Sequence, residues 1–196
     1  MRFIGSLLSI LLFLTACAQE RSYTVKNLLI YPNIPTQNHA SYMQNIGLQV
    51  TDKRGEALVG MKRFGFENES PVLVLDTAQP ILAAFQKELV KIGFTATAFH
   101  ETSEPSLDIR LLEIKYNKTA RVVSGDEKLI VKAEVVARQG GRVVTRYYET
   151  VASDSDLMRP SATYQLKQID YKISEGIAQL IHKILTDQNL VSFLKG

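Results

Sequence analysis

The sequence predicts an α+β domain, an antiparallel or mixed β-sheet with two amphipathic helices packed on one face. Three observations predict it. Two stretches, 76–93 and 162–187, repeat apolar residues at three- and four-residue spacing, the mark of a helix with one buried side. Three stretches between them alternate apolar and polar residues, and short turn sequences separate them as in a meander of strands. About 180 residues follow Cys17, enough to bury a core without disulfides or a structural metal.

Taken in order, residues 18–22 (AQERS) are polar and suit a tether. Residues 24–31 (TVKNLLIY) predict a strand, ended by Pro32 and Pro35, which cannot donate to a ladder. Residues 37–44 are polar and predict a loop. Ile46, Leu48 and Val50 alternate with smaller or polar partners as a half-buried strand, and Asp52-Lys53-Arg54-Gly55 turns the chain. Residues 57–66 are ambiguous, with a further strand as one reading. The first helix has Asp76 or Thr77 as its cap, Pro80 tolerated in its first turn, and Gly93 closing it. Its stripe is Leu82, Phe85, Leu89 and Ile92.

In residues 106–116 the alternation Leu107, Ile109, Leu111 changes phase to Leu112, Ile114, Tyr116, so a bulge at Leu111-Leu112 would restore one buried face. Ser124-Gly125-Asp126 is read as a turn. Residues 128–138 then place Leu129, Val131, Ala133, Val135 and Ala137 on one side, and Gly140-Gly141 marks a tight hairpin into 142–151. The last long element is a helix with Ile169, Ile173, Ile177, Leu180, Ile181 and Ile184 as its stripe. Leu190, Val191, Phe193 and Leu194 form a short apolar coda expected to dock on the domain.

Apolar residues make up 45% of the 196-residue chain and charged residues 22%, an ordinary globular balance rather than a disordered one. A formal charge of +3, with Lys and Arg spread along the chain, gives no reason to expect nucleic acid. No repeat, low-complexity tract or second domain is evident.

The leader carries the sharpest signal. Met1 and Arg2 precede an apolar run, 3–14, of about a dozen residues, where a membrane-spanning helix needs ~20. Leu14-Thr15-Ala16-Cys17 then resembles the bacterial lipobox. That resemblance implies cleavage between Ala16 and Cys17, a diacylglycerol thioether on Cys17 and an N-palmitoyl group on its new amine. Each buried methylene contributes about 0.8 kcal/mol, so several chains anchor durably. The competing reading is an ordinary signal peptide with a chance cysteine, although Cys17 is the only cysteine in the chain. By resemblance to enterobacterial sorting, Ala18 directs the lipoprotein to the outer membrane. The expected organisation is a signal peptide at 1–16, a lipidated tether at 17–23 and one periplasmic domain at 24–196.

Several features in order resemble the YajG-type lipoproteins, a family without an established biochemical role. They are the lipobox at Cys17, the Ile46 strand followed by Asp52-Lys53-Arg54, the helix ending Lys91-Ile92-Gly93-Phe94, and the Leu107-Asp108-Ile109-Arg110 strand. The C-terminal helix completes the set, with Leu185-Thr186-Asp187 leading to Ser192-Phe193-Leu194. The family implies membrane anchorage and a periplasmic α+β domain, and supplies no catalytic residues.

The residues point to no reaction. GxSxG, HExxH, CxxC and P-loop patterns are absent from the sequence. Cys17 cannot be a catalytic thiol while it is a thioether. His39, His100 and His182 lie far apart and suit surface or helix-end roles better than ligation, so neither a metal nor another cofactor is expected. Asp154-Ser155-Asp156 starts like a calcium loop but lacks the glycine and distal glutamate, leaving an acidic turn. The sequons at Asn68 and Asn117 are uninformative in a bacterial lipoprotein. Arg110, Lys132, Arg138, Arg142, Arg146 and Tyr148 are candidates to share the sheet face opposite the helices as a groove for acidic glycans or lipid headgroups. Asp108, Glu113 and Glu134, interleaved with them, favour an ordinary solvated face.

The expectation is a non-enzymatic, membrane-anchored lipoprotein that binds another envelope component, protein or glycan. One alternative is an auxiliary subunit of a lipid or lipopolysaccharide transport assembly. Another is an envelope hydrolase whose site gathers scattered Asp, Glu and His residues. A large apolar groove between helix and sheet would favour lipid handling, and a flat exposed apolar patch would favour a protein partner. A deep cleft with two close carboxylates would favour the hydrolase.

Overall fold

Alternating sequence makes strands here, and stripes at helical spacing make the layer that covers them. The structure, a computed structural model, describes residues 22–25, 28–36, 43–63, 69–120, 124–157 and 162–196. The strands among them are β1 (Tyr23–Val25), β2 (Gln44–Asp52), β3 (Leu58–Arg63), β4 (Glu69–Val74), β5 (Phe94–Ala98), β6 (Ser106–Ala120), β7 (Ser124–Gln139) and β8 (Arg142–Leu157). The helices are α1 (Ala78–Leu89), α2 (Ala162–Leu185) and α3 (Gln188–Lys195).

The β6–β7–β8 meander is antiparallel, with Leu107 opposite Ala137 and Ala137 opposite Val144, and it holds most of the paired residues. The register slips between Leu111 and Glu113, as the phase change requires, so Ile114 and Tyr116 rejoin Leu107, Ile109 and Leu111 in the core. Gly140 and Gly141, with φ of 58° and 71°, make the two-residue turn into β8, a backbone that other residues adopt only under strain. β7 already begins at Ser124, and Ser124, Gly125 and Asp126 pair with Leu157, Asp156 and Ser155. The expected turn there and the expected acidic turn at Asp154-Ser155-Asp156 are therefore both strand, because the hairpin arms run longer than their apolar alternation.

The sheet is mixed. β2 lies parallel to β6 on one side and to β5 on the other. Parallel neighbours need a crossover, and α1 supplies it before β5. β4 and β5, which the sequence reading left unassigned, complete this half. β3 pairs antiparallel with β4, and β1 lies parallel to β4. Where β3 meets β6, a methyl on Gly60 would run into the Tyr116 carbonyl, so only glycine lets these strands approach.

The helices number three among the described residues, not two. Asp187 accepts hydrogen bonds from the Asn189 and Leu190 amides, at 3.0 and 3.2 Å, and so caps the apolar coda as a helix of its own. α1 buries Ile81, Ala84, Phe85 and Leu89 and continues through a 3-10 turn, Val90–Ile92, to Gly93 at φ 94°. The stripe from Ile169 to Ile184 in α2 is fully buried as expected. Gly176 sits where a side chain would meet Leu129 and Val131, and its carbonyl accepts from the Thr150 hydroxyl at 3.2 Å.

The strand expected over 24–31 is a correction. Of its described residues Thr24 and Val25 join the sheet, in β1, and residues 28–36 are an extended strap over the helices. Leu28, Ile30, Pro32 and Ile34 turn inward, and Leu29, Tyr31 and Asn33 turn out. The Leu29 amide donates to Ser174 Oγ at 3.1 Å, and His182 Nδ1 lies 2.8 Å from the Asn33 carbonyl, so the strap runs along α2. The alternation was that of an extended chain, but its apolar side is buried by helices rather than by a ladder.

Candidate functional site

The face of the sheet away from the helices is the most organised polar surface in the molecule. Register fixes its rows: Ser106–Arg138–Val143, Asp108–Val136–Thr145, Arg110–Glu134–Tyr147, Glu113–Lys132–Glu149 and Lys115–Ile130–Val151. At its centre Arg110 donates from Nε to Asp108 at 2.9 Å and from a terminal nitrogen to Glu134 at 2.8 Å. The Tyr147 hydroxyl donates to the other Glu134 oxygen at 2.7 Å, and Gln49 donates to Asp108 at 3.3 Å. Lys132 Nζ lies 2.7 Å from Glu113 and 3.9 Å from Glu149.

These contacts set the protonation of the row. The hydrogen bond from Tyr147, then that from Arg110, holds the Glu134 carboxyl below its ordinary value. The same bonds seen from the other side raise Tyr147 and Arg110, and the bond to Glu113 raises Lys132. Each of the two central cations lies between two carboxylates, so the middle of the band is neutralised, while its ends carry Arg138, over the Phe99 ring, and the exposed Lys115. At one end the loop of residues 99–105 closes over the face. Phe99 lies against Arg138, Ser103 against Gly47, and Glu104 accepts from the Gly141 amide at 2.9 Å; Ser106 and Asp108 are buried at this end of the face.

The expected cationic groove is therefore split. Arg110, Lys132 and Arg138 share this face, but Arg142, Arg146 and Tyr148 lie on the helix side of β8. Arg146 stands opposite Val135 and Tyr148 opposite Ala133, and both of those partners are core residues. Tyr148 donates to Asp187 at 2.7 Å and Arg146 at 3.1 Å, while Arg142 lies over the Phe193 ring of α3. Polar residues were assigned outward because no buried partner was visible, and α3 supplies that partner. Burial pushes the Asp187 carboxyl up, but the bonds from Tyr148 and the two amides, with the charge of Arg146, bring it below its ordinary value.

A third polar knot joins β2 to the start of α1. Arg54 grips Asp52 at 2.7 Å and donates to the Val74 carbonyl at 2.9 Å. The Thr77 hydroxyl donates to Asp52 at 2.6 Å, so Thr77 takes the N-cap position without capping the helix by its side chain. Burial raises the Asp52 carboxyl, and the Arg54 and Thr77 bonds outweigh it.

A groove of about 400 Å³ lies between α2 and the far part of β8, lined by Tyr116, Leu129, Val151, Ser153, Lys172 and Glu175 among others. Its walls are mixed, neither a large apolar channel nor a cleft with two close carboxylates. His100 is exposed in a turn and His182 holds the strap, while His39 lies outside the described residues. Among the described residues no three His, Cys, Asp or Glu side chains gather as metal ligands. Ala16 and Cys17, with the whole leader, lie outside the described residues. Among the described residues no helix is long and apolar enough to cross a membrane.

Sequence reasoning missed Tyr147 and Asp187. Odd-numbered positions from Val143 to Val151 were the available signal for the first, and an aspartate two residues before Asn189 for the second.

A family model described as "Uncharacterized lipoprotein" matches residues 32–195. No curated protein matches the chain. The fold is similar to that of protein XCC0632 from Xanthomonas campestris, with a TM-score of 0.48 at 11% identity, covering 88% of this chain and 96% of that one. It is also similar to the hypothetical protein CT253 from Chlamydia trachomatis, with a TM-score of 0.43 at 11% identity over 77% and 97% of the two chains. Lipoprotein GNA1162 from Neisseria meningitidis gives a TM-score of 0.32 at 12% identity, over 69% and 99%.

Proposed function

Because the chain belongs to the Lipoprotein_16 family of uncharacterized lipoproteins, the YajG type, we propose that it is a non-enzymatic envelope lipoprotein that docks another envelope component on its open sheet face. In this reading the leader 1–16 is removed, Cys17 carries diacylglycerol and palmitate, and the domain hangs from the outer membrane into the periplasm. One observation carries the docking role. Val143, Tyr147 and Val151, spaced along one face of the edge strand β8 with Thr145 and Glu149 between them, are exposed to 59%, 72% and 48%. An apolar and aromatic row beside a neutralised polar band is the composition of a protein-binding surface, where tyrosine combines contact area with a hydrogen-bonding tip. A glycan ligand fits less well, because Arg110 and Lys132, the two cations at the centre of the face, already hold carboxylates.

The groove beside α2 supports the second reading, an auxiliary subunit in lipid or lipopolysaccharide transport. Leu129 and Ala152 line it together with Lys172 and Glu175, the mix of apolar and charged groups that an amphiphile would require. A hydrolase finds less support. The carboxylates of the open face are each engaged by a cation or a hydroxyl, unlike a pair poised to exchange a proton.

The test is photo-crosslinking in the native host from residues 143, 147 and 151, with captured species identified by mass spectrometry. A discrete adduct is expected from these positions, absent from position 86 on α1 and lost when Cys17→Ser frees the domain. Recovery of abundant bystanders alone, unchanged by Cys17→Ser, overturns the docking role.

A further inference from the structure

The two faces of the molecule differ in what stands beside their exposed tyrosines. On the sheet face Tyr147 is bonded to Glu134 within a network of ion pairs, whereas on the helical layer a lysine lies over the Tyr31 ring. Lys87 on α1 is exposed at this surface, whereas Lys91, on the 3-10 turn that follows, is paired with Glu88, and Lys183 of α2 donates to the Glu149 carbonyl of β8. Of the carboxylates there, Glu88 is buried against Lys91 at 2.6 Å and Asp170 accepts from the Tyr23 hydroxyl at 2.8 Å, which leaves Glu175 as the exposed one on these two helices among the described residues.

Apolar and aromatic groups stand among these lysines. Leu29 and Tyr31, the outward residues of the strap, are 63% and 70% exposed, and Tyr171 is 66% exposed. They form one neighbourhood. The Leu29 amide bonds to Ser174, one helical turn beyond Tyr171, and Lys87 Nζ lies 5.9 Å from the centre of the Tyr31 ring. Val90, 52% exposed, is one turn beyond Lys87. Tyrosines with a wet tip, a leucine, and lysines whose stems lie on apolar surface are the groups that settle at a lipid–water boundary.

The attachment point selects the same side. Tyr23, six residues after Cys17, is bonded to Asp170, the residue before Tyr171, and so stands at the edge of this patch. From Cys17 to Tyr23 the backbone reaches about 20 Å at full extension. A lipid on Cys17 therefore holds the edge of the patch within about that reach of the headgroups, and Lys87 matches an anionic surface.

We propose that the helical layer is a membrane-facing surface, with Leu29, Tyr31, Tyr171 and Lys87 resting on anionic phospholipid headgroups while the open sheet face points away from the bilayer. The proposal rests on the lipid-anchored reading above.

The test uses the processed, lipidated full-length chain in vesicles of phosphatidylethanolamine and phosphatidylglycerol at 3:1. With Cys17 blocked by lipid, a cysteine introduced as Leu29→Cys, Tyr171→Cys or Thr145→Cys is the one free thiol for a fluorophore. Flotation with the vesicles reports the anchor, and quenching by a lipid-borne quencher reports the face. The expected result is flotation of every variant, with labels at 29 and 171 quenched several-fold more than the label at 145. Lys87→Glu lowers that ratio up to about five-fold and Lys87→Arg preserves it. Phosphatidylcholine vesicles also lower it. Equal quenching on both faces of a floating protein overturns the proposal and leaves the anchor standing, as does protection of position 29 by a second copy or another protein. A chain that carries no lipid on Cys17 and fails to float defeats the anchor and the orientation together.

Discussion

Asp187 joins two elements through a single carboxylate. One carboxylate caps α3, receives Tyr148 and Arg146 from β8, and so binds the last helix to the edge of the sheet. Asp187→Ala removes a cap, worth about 1 kcal/mol, and strands a half-buried hydroxyl and guanidinium, costing another 1–3 kcal/mol. A destabilisation of about 2–4 kcal/mol is expected in urea unfolding, and a loss below 0.5 kcal/mol would assign these bonds no role in stability. The lowered carboxyl also gives a sign to the pH dependence. The folded chain binds this proton less readily than the unfolded one, so the stabilisation is complete above the unfolded carboxylate value, near about 4. It is lost as pH falls through the lower folded value. Asp52 acts in the same direction. Urea midpoints measured from pH 6 to pH 2 should fall more steeply for the native chain than for Asp187→Asn, and parallel curves would contradict the assignment.

Among the elements, the strap of residues 28–36 behaves least like its sequence. Its alternation is that of a strand, yet it lies over helices and buries Ile34 to 4% exposure. Ile34→Ala should therefore cost about 2–4 kcal/mol, as for any large core side chain truncated to alanine. The transition should keep its denaturant slope, because the strap is part of the one cooperative unit. A cost near zero, or a separate early transition, would mean that the helices close without it. α3 makes the opposite point. A coda of four apolar residues becomes an element because one aspartate stands at its start.

At the scale of the whole molecule, stability follows the ladder. β6 is paired on both sides over its first half, by β2 and β7, and its residues sit beneath the helices. Native-state hydrogen exchange should be slowest at Leu107, Ile109 and Leu111 in β6 and at Val135 and Ala137 in β7, and faster by orders of magnitude in 28–36. Comparable protection in the strap would show that the helical layer, not the sheet, closes last on unfolding. The same architecture separates two surfaces. One side is the helical layer with the strap along it, and the other is the open sheet face bordered by Tyr147.

The sequence by itself determined the lipoprotein family, the α+β class, the meander with its bulge at Leu111–Glu113, and the buried stripes of α1 and α2. Each of these depends on local chemistry or on a period of two or 3.6 residues, which a single chain displays without reference to its neighbours. Only the tertiary structure decided that β2, β5 and β6 run parallel, that residues 28–36 leave the sheet, and that Arg146 and Tyr148 turn inward while Tyr147 turns out. Those outcomes depend on which distant partner arrives. Asp187 makes the inward side of β8 hospitable to charge, the two long helices offer the strap a groove that a ladder would otherwise have to provide, and a crossover through α1 reverses the direction in which β5 meets β2. Alternation gives the two faces of a strand, but the burial of one of them is a property of what packs against it.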